Sequence, residues 1–246
     1  MPSLYLFKYY PINEFTFDVI KTGRVWMSDP ANFNDPYDCA LSLDMKSYHK
    51  RNNDFHSIVR DVMLGKRDRS EIPMDKAPIP GWAMNVANEE FKDEQSKFGV
   101  CCFSETNLSI LMWSHYADNH KGVCIEFEFP ENSPEKFDLS KVNYCNEFPK
   151  FTIEDYRHLL KEKIQNQIKQ LITVKAKEWE YEKEWRLIHN DKNTYYPKIL
   201  KIKSVLLGVR GDQKVKYEII DLLKGRSCRF DQATLEYNTF NIRHCL

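Results

Sequence analysis

The residues best suited to chemistry lie in one acidic, tryptophan-flanked stretch, residues 178–186, with the sequence Glu-Trp-Glu-Tyr-Glu-Lys-Glu-Trp-Arg. If this stretch is extended, Glu182 and Glu184 share a face, because side chains at i and i+2 of a strand point the same way. Two close carboxylates repel, which raises one pKa and suits acid–base work or stabilisation of a cation. If the stretch is helical, Glu182 and Arg186 form an ordinary i, i+4 ion pair. Both conformations fit the composition.

A second group of polar and aromatic residues lies at 113–117, Trp-Ser-His-Tyr-Ala. Trp113 and Tyr116 are three residues apart and share one face of a predicted helix. His115 comes near the end of that helix, and Asp118 follows three residues later, so a histidine–carboxylate contact is feasible. A buried histidine is more often a hydrogen-bonded core residue than a catalyst. Both interpretations of His115 stay open.

A third candidate is the loop at residues 33–38, Phe-Asn-Asp-Pro-Tyr-Asp. Asn and Asp favour tight turns and Pro fixes φ, so the loop is predicted to be rigid. It either serves only as a turn or presents Asn34, Asp35 and Asp38 to a pocket, since loops often carry binding groups.

The surrounding pattern predicts the elements that position these residues. An aromatic strand over residues 4–10 carries Lys8 and Tyr9, a short helix ends before Gly23, and a strand covers residues 24–28. Residues 99–104 and 123–129 are predicted strands, the second with clean alternation. A buried helix begins at Asn107 or Ser109 and runs to about Ala117.

Further along, helical spacing over residues 152–172 predicts the strongest helix, a strand follows at 199–209, and Asp212 caps a helix that ends near residue 224. There are no regular βαβ units. The fold is therefore predicted to be α+β, with a mixed, mainly antiparallel sheet flanked by helices. We expect a single domain over residues 1–246, with a helical insertion at about 44–98 that includes helices over 48–64 and 82–98.

Composition limits the classes of partner. The 36 basic and 36 acidic residues give a formal net charge of zero, which provides no overall attraction to nucleic acid or an anionic membrane. We find neither a signal-peptide pattern nor an apolar run of about 18 residues that could span a bilayer. The seven cysteines lack C-x-x-C spacing, which favours reduced thiols and a cytoplasmic location over disulfides or a zinc site.

The three motifs together resemble a bacterial family known as a domain of unknown function. Its members carry Lys-Tyr near the N-terminus, then Phe-Asn-Asp-Pro-(Phe/Tyr)-Asp, Trp-Ser-His-Tyr-Ala and Glu-Trp-x-x-Glu-x-Glu-Trp-Arg. In this chain the corresponding stretches are Lys8-Tyr9 and residues 33–38, 113–117 and 178–186. The resemblance spans nearly the whole chain.

A more distant resemblance is to ADP-ribosyltransferase folds, including toxins of bacterial defence systems. It implies NAD as a substrate, no metal, and a small-molecule nucleotide as partner, with the acceptor, protein or nucleic acid, left open. It implies Glu182 or Glu184 as the catalytic carboxylate, with His115 as a polar residue of the pocket. The implied binding residues are Lys8, Tyr9, Asn34, Asp35, Asp38, Trp113, Tyr116 and Arg186. The chain departs from that pattern because its first strand has no arginine.

Two other functions remain as alternatives. A metal-dependent nuclease would use acidic residues to coordinate Mg²⁺ and a lysine beside them to position water. The residues available for this are Asp35, Asp38, Glu126, Glu128, Glu182 and Lys183. The other alternative is a non-enzymatic binding or sensor module, in which the same aromatic and acidic residues complete a core and a partner surface.

Overall fold

The computed structural model describes residues 3–39, 42–43, 45–74, 77–78, 80, 85–86, 89, 92–130, 137–151 and 164–244. The strands are β1 (Leu4–Tyr10), β2 (Trp26–Met27), β3 (Ser42–Leu43), β4 (Gly99–Ser104), β5 (Val123–Phe129), β6 (Leu139–Lys141), β7 (Asn143–Cys145), β8 (Lys150–Phe151), β9 (Val174–Ala176), β10 (Glu184–His189), β11 (Thr194–Tyr195), β12 (Lys201–Leu207), β13 (Arg229–Gln232), β14 (Thr234–Leu235) and β15 (Ile242–Arg243). The described α-helices are α1 (Glu14–Thr22), α2 (Met45–Met63), α3 (Ile110–Tyr116), α4 (Ile164–Ile172) and α5 (Gln213–Leu223).

Seven of the described strands form one sheet in the order β13-β12-β5-β1-β4-β10-β6. Its neighbours pair antiparallel except for β12 and β13, which are parallel. The sheet is therefore mixed and mainly antiparallel, and the predicted α+β class is confirmed.

Alternation along the strands divides the apolar side chains between two faces of the sheet. On one face, Leu6, Phe103 and Phe127 belong to a core that also contains Ile20 of α1 and Ile219 of α5. On the other face, two smaller clusters pack beneath α3 and α4. Trp113 of α3 lies in one of these clusters and Ile168 of α4 in the other. Helices thus flank both faces of the sheet, as the sequence predicts.

The helix ends follow local sequence signals. Asn13 caps α1 by accepting from the Thr16 amide, and Gly23 ends the helix in the left-handed region at φ 72°. Asp212 caps α5 by accepting from the Lys214 amide. The end of α1 at Gly23 and the cap of α5 at Asp212 agree with the predicted ones, because glycine accepts positive φ and side-chain oxygens satisfy free amides at a helix N-terminus.

Other predicted elements are shorter or less buried in the structure. The strand predicted at residues 24–28 is reduced to Trp26–Met27. The prediction that the helix after Ser109 is buried all round is wrong, since Ile110 and Leu111 of α3 are exposed while Met112 and Trp113 are buried. A helix this close to the surface can bury only the side that faces the sheet.

Two predicted helices fall partly outside the described residues. Of the helix predicted over 152–172, the described part is α4, and residues 152–163 lie outside. Within the predicted insertion at 44–98, the helix predicted from residue 48 to 64 is present as α2. Much of the helix predicted over 82–98 lies outside the described residues. No helix in the described part of the chain is both long and apolar enough to cross a bilayer.

Strands β1 and β4 are neighbours that barely pair. Their register contains one pair, Phe7 opposite Ser104, whereas β1 pairs with β5 along its whole length. In place of a backbone hydrogen bond between β1 and β4, the Lys8 ammonium donates to the Cys102 carbonyl oxygen at 3.0 Å. The sheet therefore opens between two of its central strands, and this opening shapes the candidate site.

We predict that Gly23→Ala destabilises the fold much more than Gly65→Ala. Both glycines have positive φ, 72° and 69°, so alanine costs about 1–2 kcal/mol at either position. A methyl group at residue 23 would also overlap the Leu200 carbonyl oxygen, while nothing lies within 4 Å of one at residue 65. Overlap of this kind adds about 1–3 kcal/mol.

Urea unfolding of the two variants and the wild type measures this difference. Equal losses of unfolding free energy in both variants would contradict the close approach of Gly23 to Leu200.

Candidate functional site

A cavity of about 310 Å³ lies where the sheet opens. Its walls come from β1, the loop after β2, β4, α3, β9 and the 178–186 stretch. The lining residues are Phe7, Lys8, Tyr9, Ser28, Asn32, Phe33, Asn34, Asp38, Val100, Cys102, Phe103, Met112, Tyr116, Lys175, Glu182 and Glu184. Cavities that bind small molecules begin at about this size and combine apolar walls with a few polar groups. We call this space the first cavity.

The acidic stretch is neither wholly extended nor wholly helical. Residues Lys177–Glu182 form a 3-10 helix, Lys183 takes the left-handed conformation at φ 46°, and β10 begins at Glu184. Ser104 fixes this turn, because its hydroxyl donates to the Glu182 carbonyl oxygen at 2.5 Å. The i, i+4 pair between Glu182 and Arg186 does not form, and Glu182 and Glu184 still come together.

Lys175 is the residue that joins the two glutamates. Its ammonium lies 2.5 Å from Oε2 of Glu182, 3.0 Å from Oε2 of Glu184 and 3.5 Å from Oδ2 of Asp38. All of these side chains are at most 5 % exposed. Burying several charges is costly unless they are paired. The ammonium is therefore what allows three carboxylates to occupy one dry site.

Arg186 completes the ionic cluster from behind the cavity. Its guanidinium holds Glu184 through Nε at 2.7 Å and Nη2 at 3.1 Å, and it reaches Asp38 at 2.7 Å. Nη1 donates to the Ile172 carbonyl oxygen and lies 3.2 Å from the Cys39 sulfur. Both oxygens of Glu184 are thus engaged, so Glu184 is held in one orientation.

Tyr116 connects the cluster to the cavity. Its hydroxyl donates to Oε1 of Glu182 at 2.6 Å, and the Asn34 amide nitrogen lies 3.4 Å from the same hydroxyl. Glu182 thus has one neutral and one cationic partner, whereas Glu184 has two cationic ones. The two carboxylates share a site but differ in environment.

This difference separates their proton affinities. Burial raises the pKa of Glu182, and the nearby Glu184 carboxylate adds to the rise, although Lys175 opposes it. Burial also disfavours ionised Glu184, but Arg186 and Lys175 outweigh it and lower the pKa of Glu184 to about 2. Adjacent carboxylates with opposed shifts are typical of acid–base sites. Glu182 therefore holds a proton more readily than an ordinary glutamate, while Glu184 stays ionised.

The structure brings most of the sequence-predicted site residues to the first cavity: Lys8, Tyr9, Asn34, Asp38, Tyr116, Glu182 and Glu184. Arg186 is fully buried and supports this wall without lining it. Trp113 is a core residue whose indole nitrogen donates to the Asn107 carbonyl oxygen at 2.8 Å. His115 is exposed beside Trp179, and Asp35 lines a neighbouring cavity. Neither residue lines the first cavity.

Sequence reasoning missed Lys175, the centre of the ionic cluster. One signal was available: Lys175 stands between Val174 and Ala176, and a lone charge in a short apolar strand needs a buried partner. It also missed Cys102 and the three phenylalanines that line the cavity, Phe7, Phe33 and Phe103. Burial keeps the pKa of Cys102 well above its usual value, so this residue is a neutral thiol in the wall.

Residues 112–187 match the model of a family described as a protein of unknown function (DUF2971). The match runs from α3 into β10 and so contains Tyr116, Lys175, Glu182, Glu184 and Arg186. It does not reach the strand that carries Lys8 or the loop that carries Asn34 and Asp38. No curated protein matches the chain, and no solved structure matches it. Residues 112–187 are thus similar to a domain of unknown function.

We predict that Lys175→Met destabilises the protein by about 3–5 kcal/mol, because it leaves buried carboxylates without their shared cation. Lys183→Met is the matched control, since Lys183 is exposed on the same wall segment. Urea unfolding at pH 7 measures both variants, and the control should stay within about 0.5 kcal/mol of wild type. Similar unfolding free energies for Lys175→Met and Lys183→Met would mean that the ammonium does not hold the cluster together.

We predict a pH dependence of stability from Glu184. Its folded pKa of about 2 lies below the ordinary glutamate value of 4.5, so ionised Glu184 stabilises the fold above about pH 5. That stabilisation is lost as the pH falls from 5 toward 2. Glu184→Gln should therefore lose less unfolding free energy between pH 6 and pH 3 than wild type does. The exposed Glu178→Gln variant should follow wild type. If unfolding free energy changes with pH in the same way in all three proteins, Glu184 is not the source of the pH dependence.

Proposed function

We propose that this chain is an enzyme that cleaves the N-glycosidic bond of a nucleotide, with NAD as substrate, by ADP-ribosyl transfer or hydrolysis. The observation that carries the proposal is the Glu182 carboxylate, which lies in the wall of the first cavity between Tyr116 and Lys175. Such an enzyme must place negative charge where positive charge develops on the sugar.

The environment of Glu182 suits this role. Its side chain is 4 % exposed, and a charge interacts more strongly in a site that excludes water. Tyr116 and Lys175 fix its two oxygens separately, so the carboxylate does not need to reorganise as the reaction proceeds. Preorganised charge of this kind is usually the largest single contribution to catalysis.

The rest of the cavity supports a flat, polar substrate. Phe7, Phe33 and Phe103 provide apolar rings in its wall, which suit a nicotinamide or another planar base. Lys8 and Asn34 add hydrogen-bonding groups to the lining of this space. A cavity of about 310 Å³ accommodates part of a dinucleotide and leaves the remainder outside.

In the proposed reaction, the bond between ribose C1′ and the nicotinamide nitrogen breaks, and its electron pair leaves with the nitrogen. Ionised Glu182 stabilises the ribosyl oxocarbenium ion that forms. Water or an acceptor hydroxyl or amine then attacks C1′, and Glu182 accepts the proton that the nucleophile loses. Glu184, held ionised by Arg186, adds negative potential behind Glu182. We assign no step to His115, which lies outside the cavity lining.

The alternatives have less support. The carboxylates considered for a nuclease are separated, because Glu126 contacts Ser204 and Glu128 contacts Lys201, and neither lines the first cavity. In the described residues, no three His, Cys, Asp or Glu side chains are placed to hold a metal ion. A purely structural or sensor role would favour solvent-facing glutamates, yet Glu182 and Glu184 are buried beside a cavity.

Release of nicotinamide from NAD tests the proposal. We expect wild type to release it, and Glu182→Gln to be at least about 100-fold slower, because the amide removes the charge that stabilises the transition state. The amide oxygen can still accept from Tyr116, so the variant should keep its fold, which circular dichroism checks.

Glu180→Gln is the control, since Glu180 lies on the same 3-10 helix but is exposed. This variant should react at the wild-type rate. Background release by wild type with water, proteins, DNA and RNA offered as acceptors would overturn the proposed function, as would equal rates in wild type and Glu182→Gln.

A further inference from the structure

A second cavity of about 440 Å³ adjoins the first one. Asn34 and Lys175 line both cavities, so the two spaces share part of their walls. None of the sequence motifs predicts this space as a unit. Its walls come from the 33–38 loop, the segment after β7, β9 and the start of the acidic stretch.

Three aromatic side chains line the second cavity: Tyr37, Phe148 and Trp179. The rings of Tyr37 and Phe148 lie 6.0 Å apart at 35°, and these side chains are 66 % and 43 % exposed. Large aromatic side chains exposed beside a concave surface mark a binding site more often than isolated ones do. Trp179 already has a cation on one face, the Lys175 ammonium at 5.1 Å from its ring centre.

The charged residues of the same wall are mainly acidic. Asp35, Glu147 and Glu178 line the cavity together with one cation, Lys175. That cation is engaged by Glu182 and Glu184 of the first cavity. Asp35 and Glu178 therefore make the second cavity negative as well as aromatic, which disfavours phosphate or carboxylate ligands. Among the described residues, no set of three or more His, Cys, Asp or Glu side chains is placed to hold a metal ion.

We propose that the second cavity binds an organic cation, namely a guanidinium or an alkylated ammonium group. Such cations are weakly hydrated, pack against aromatic faces and gain from nearby carboxylates. Asn34 and Lys175 line both cavities, so a cation bound there is close to the wall that carries Glu182. The bound molecule is then the acceptor of the transferred group, and this role, unlike the binding itself, rests on the proposed function.

Isothermal titration of the full chain with agmatine and with choline, without nucleotide, tests the binding. We expect a one-to-one complex with at least one of them, and the preferred probe shows whether guanidinium or alkylated ammonium is bound. Tyr37→Leu and Glu178→Gln should each weaken binding about five- to tenfold.

Two matched controls should bind as wild type does. Tyr217→Leu removes a tyrosine that is 68 % exposed on α5, against 66 % for Tyr37. Glu180→Gln removes an exposed carboxylate from the same 3-10 helix as Glu178. Absence of binding to wild type, equal binding by variants and controls, or binding of adenosine that is lost in Tyr37→Leu while neither cation binds, would overturn the proposal.

The two proposals can fail separately. Agmatine or choline binding by a wild-type protein that releases no nicotinamide would leave the cation site standing without the proposed function. Nicotinamide release by a protein that binds neither cation would support the proposed function and overturn the cation site. Glu182→Gln should retain cation binding, since Glu182 lines the first cavity and not the second.

Discussion

The site depends on a buried ammonium, that of Lys175, which contacts Glu182, Glu184 and Asp38. Without it, Glu182 would have no cationic partner, and burying a carboxylate without one is costly. Arg186 then makes the two glutamates unequal, because it binds Glu184 and leaves Glu182 in contact with Tyr116. The chemistry proposed for Glu182 follows from this unequal sharing of cations.

The geometry of the sheet determines which cavity the ionic cluster faces. Alternation places Glu184 and Arg186 on one face of β10, while Trp185 and Leu187 pack with the core on the other. The single pair between β1 and β4 leaves space in front of Glu184 that a complete ladder would fill. The cavity is thus part of the sheet itself. Ion pairs and hydrogen bonds fix the carboxylates of its wall, which favours preorganisation.

Much of this framework could be predicted from the sequence, because local signals determine it. The alternation of β5 and the caps at Asn13, Gly23 and Asp212 act within a few residues. The conformation of the acidic stretch could not be predicted from local signals, since its turn at Lys183 is fixed by Ser104, which is far away in sequence. Lys175 was missed for a similar reason, because its partners lie on three different segments. His115 fitted a motif, but its exposure depends on how α3 packs on the sheet.

The first cavity is lined by residues from the start of the chain to Glu184. A ribosome delivers these segments in order, N-terminus first. Lys8, Asn34 and Asp38 therefore leave it long before Lys175 and Glu182, and Asp38 has no guanidinium to pair with until Arg186 has been made. A nascent chain that ends before Glu182 lacks both glutamates of the cavity wall. The first cavity is therefore completed only late in synthesis, and a chain truncated before β10 lacks both Glu184 and Arg186.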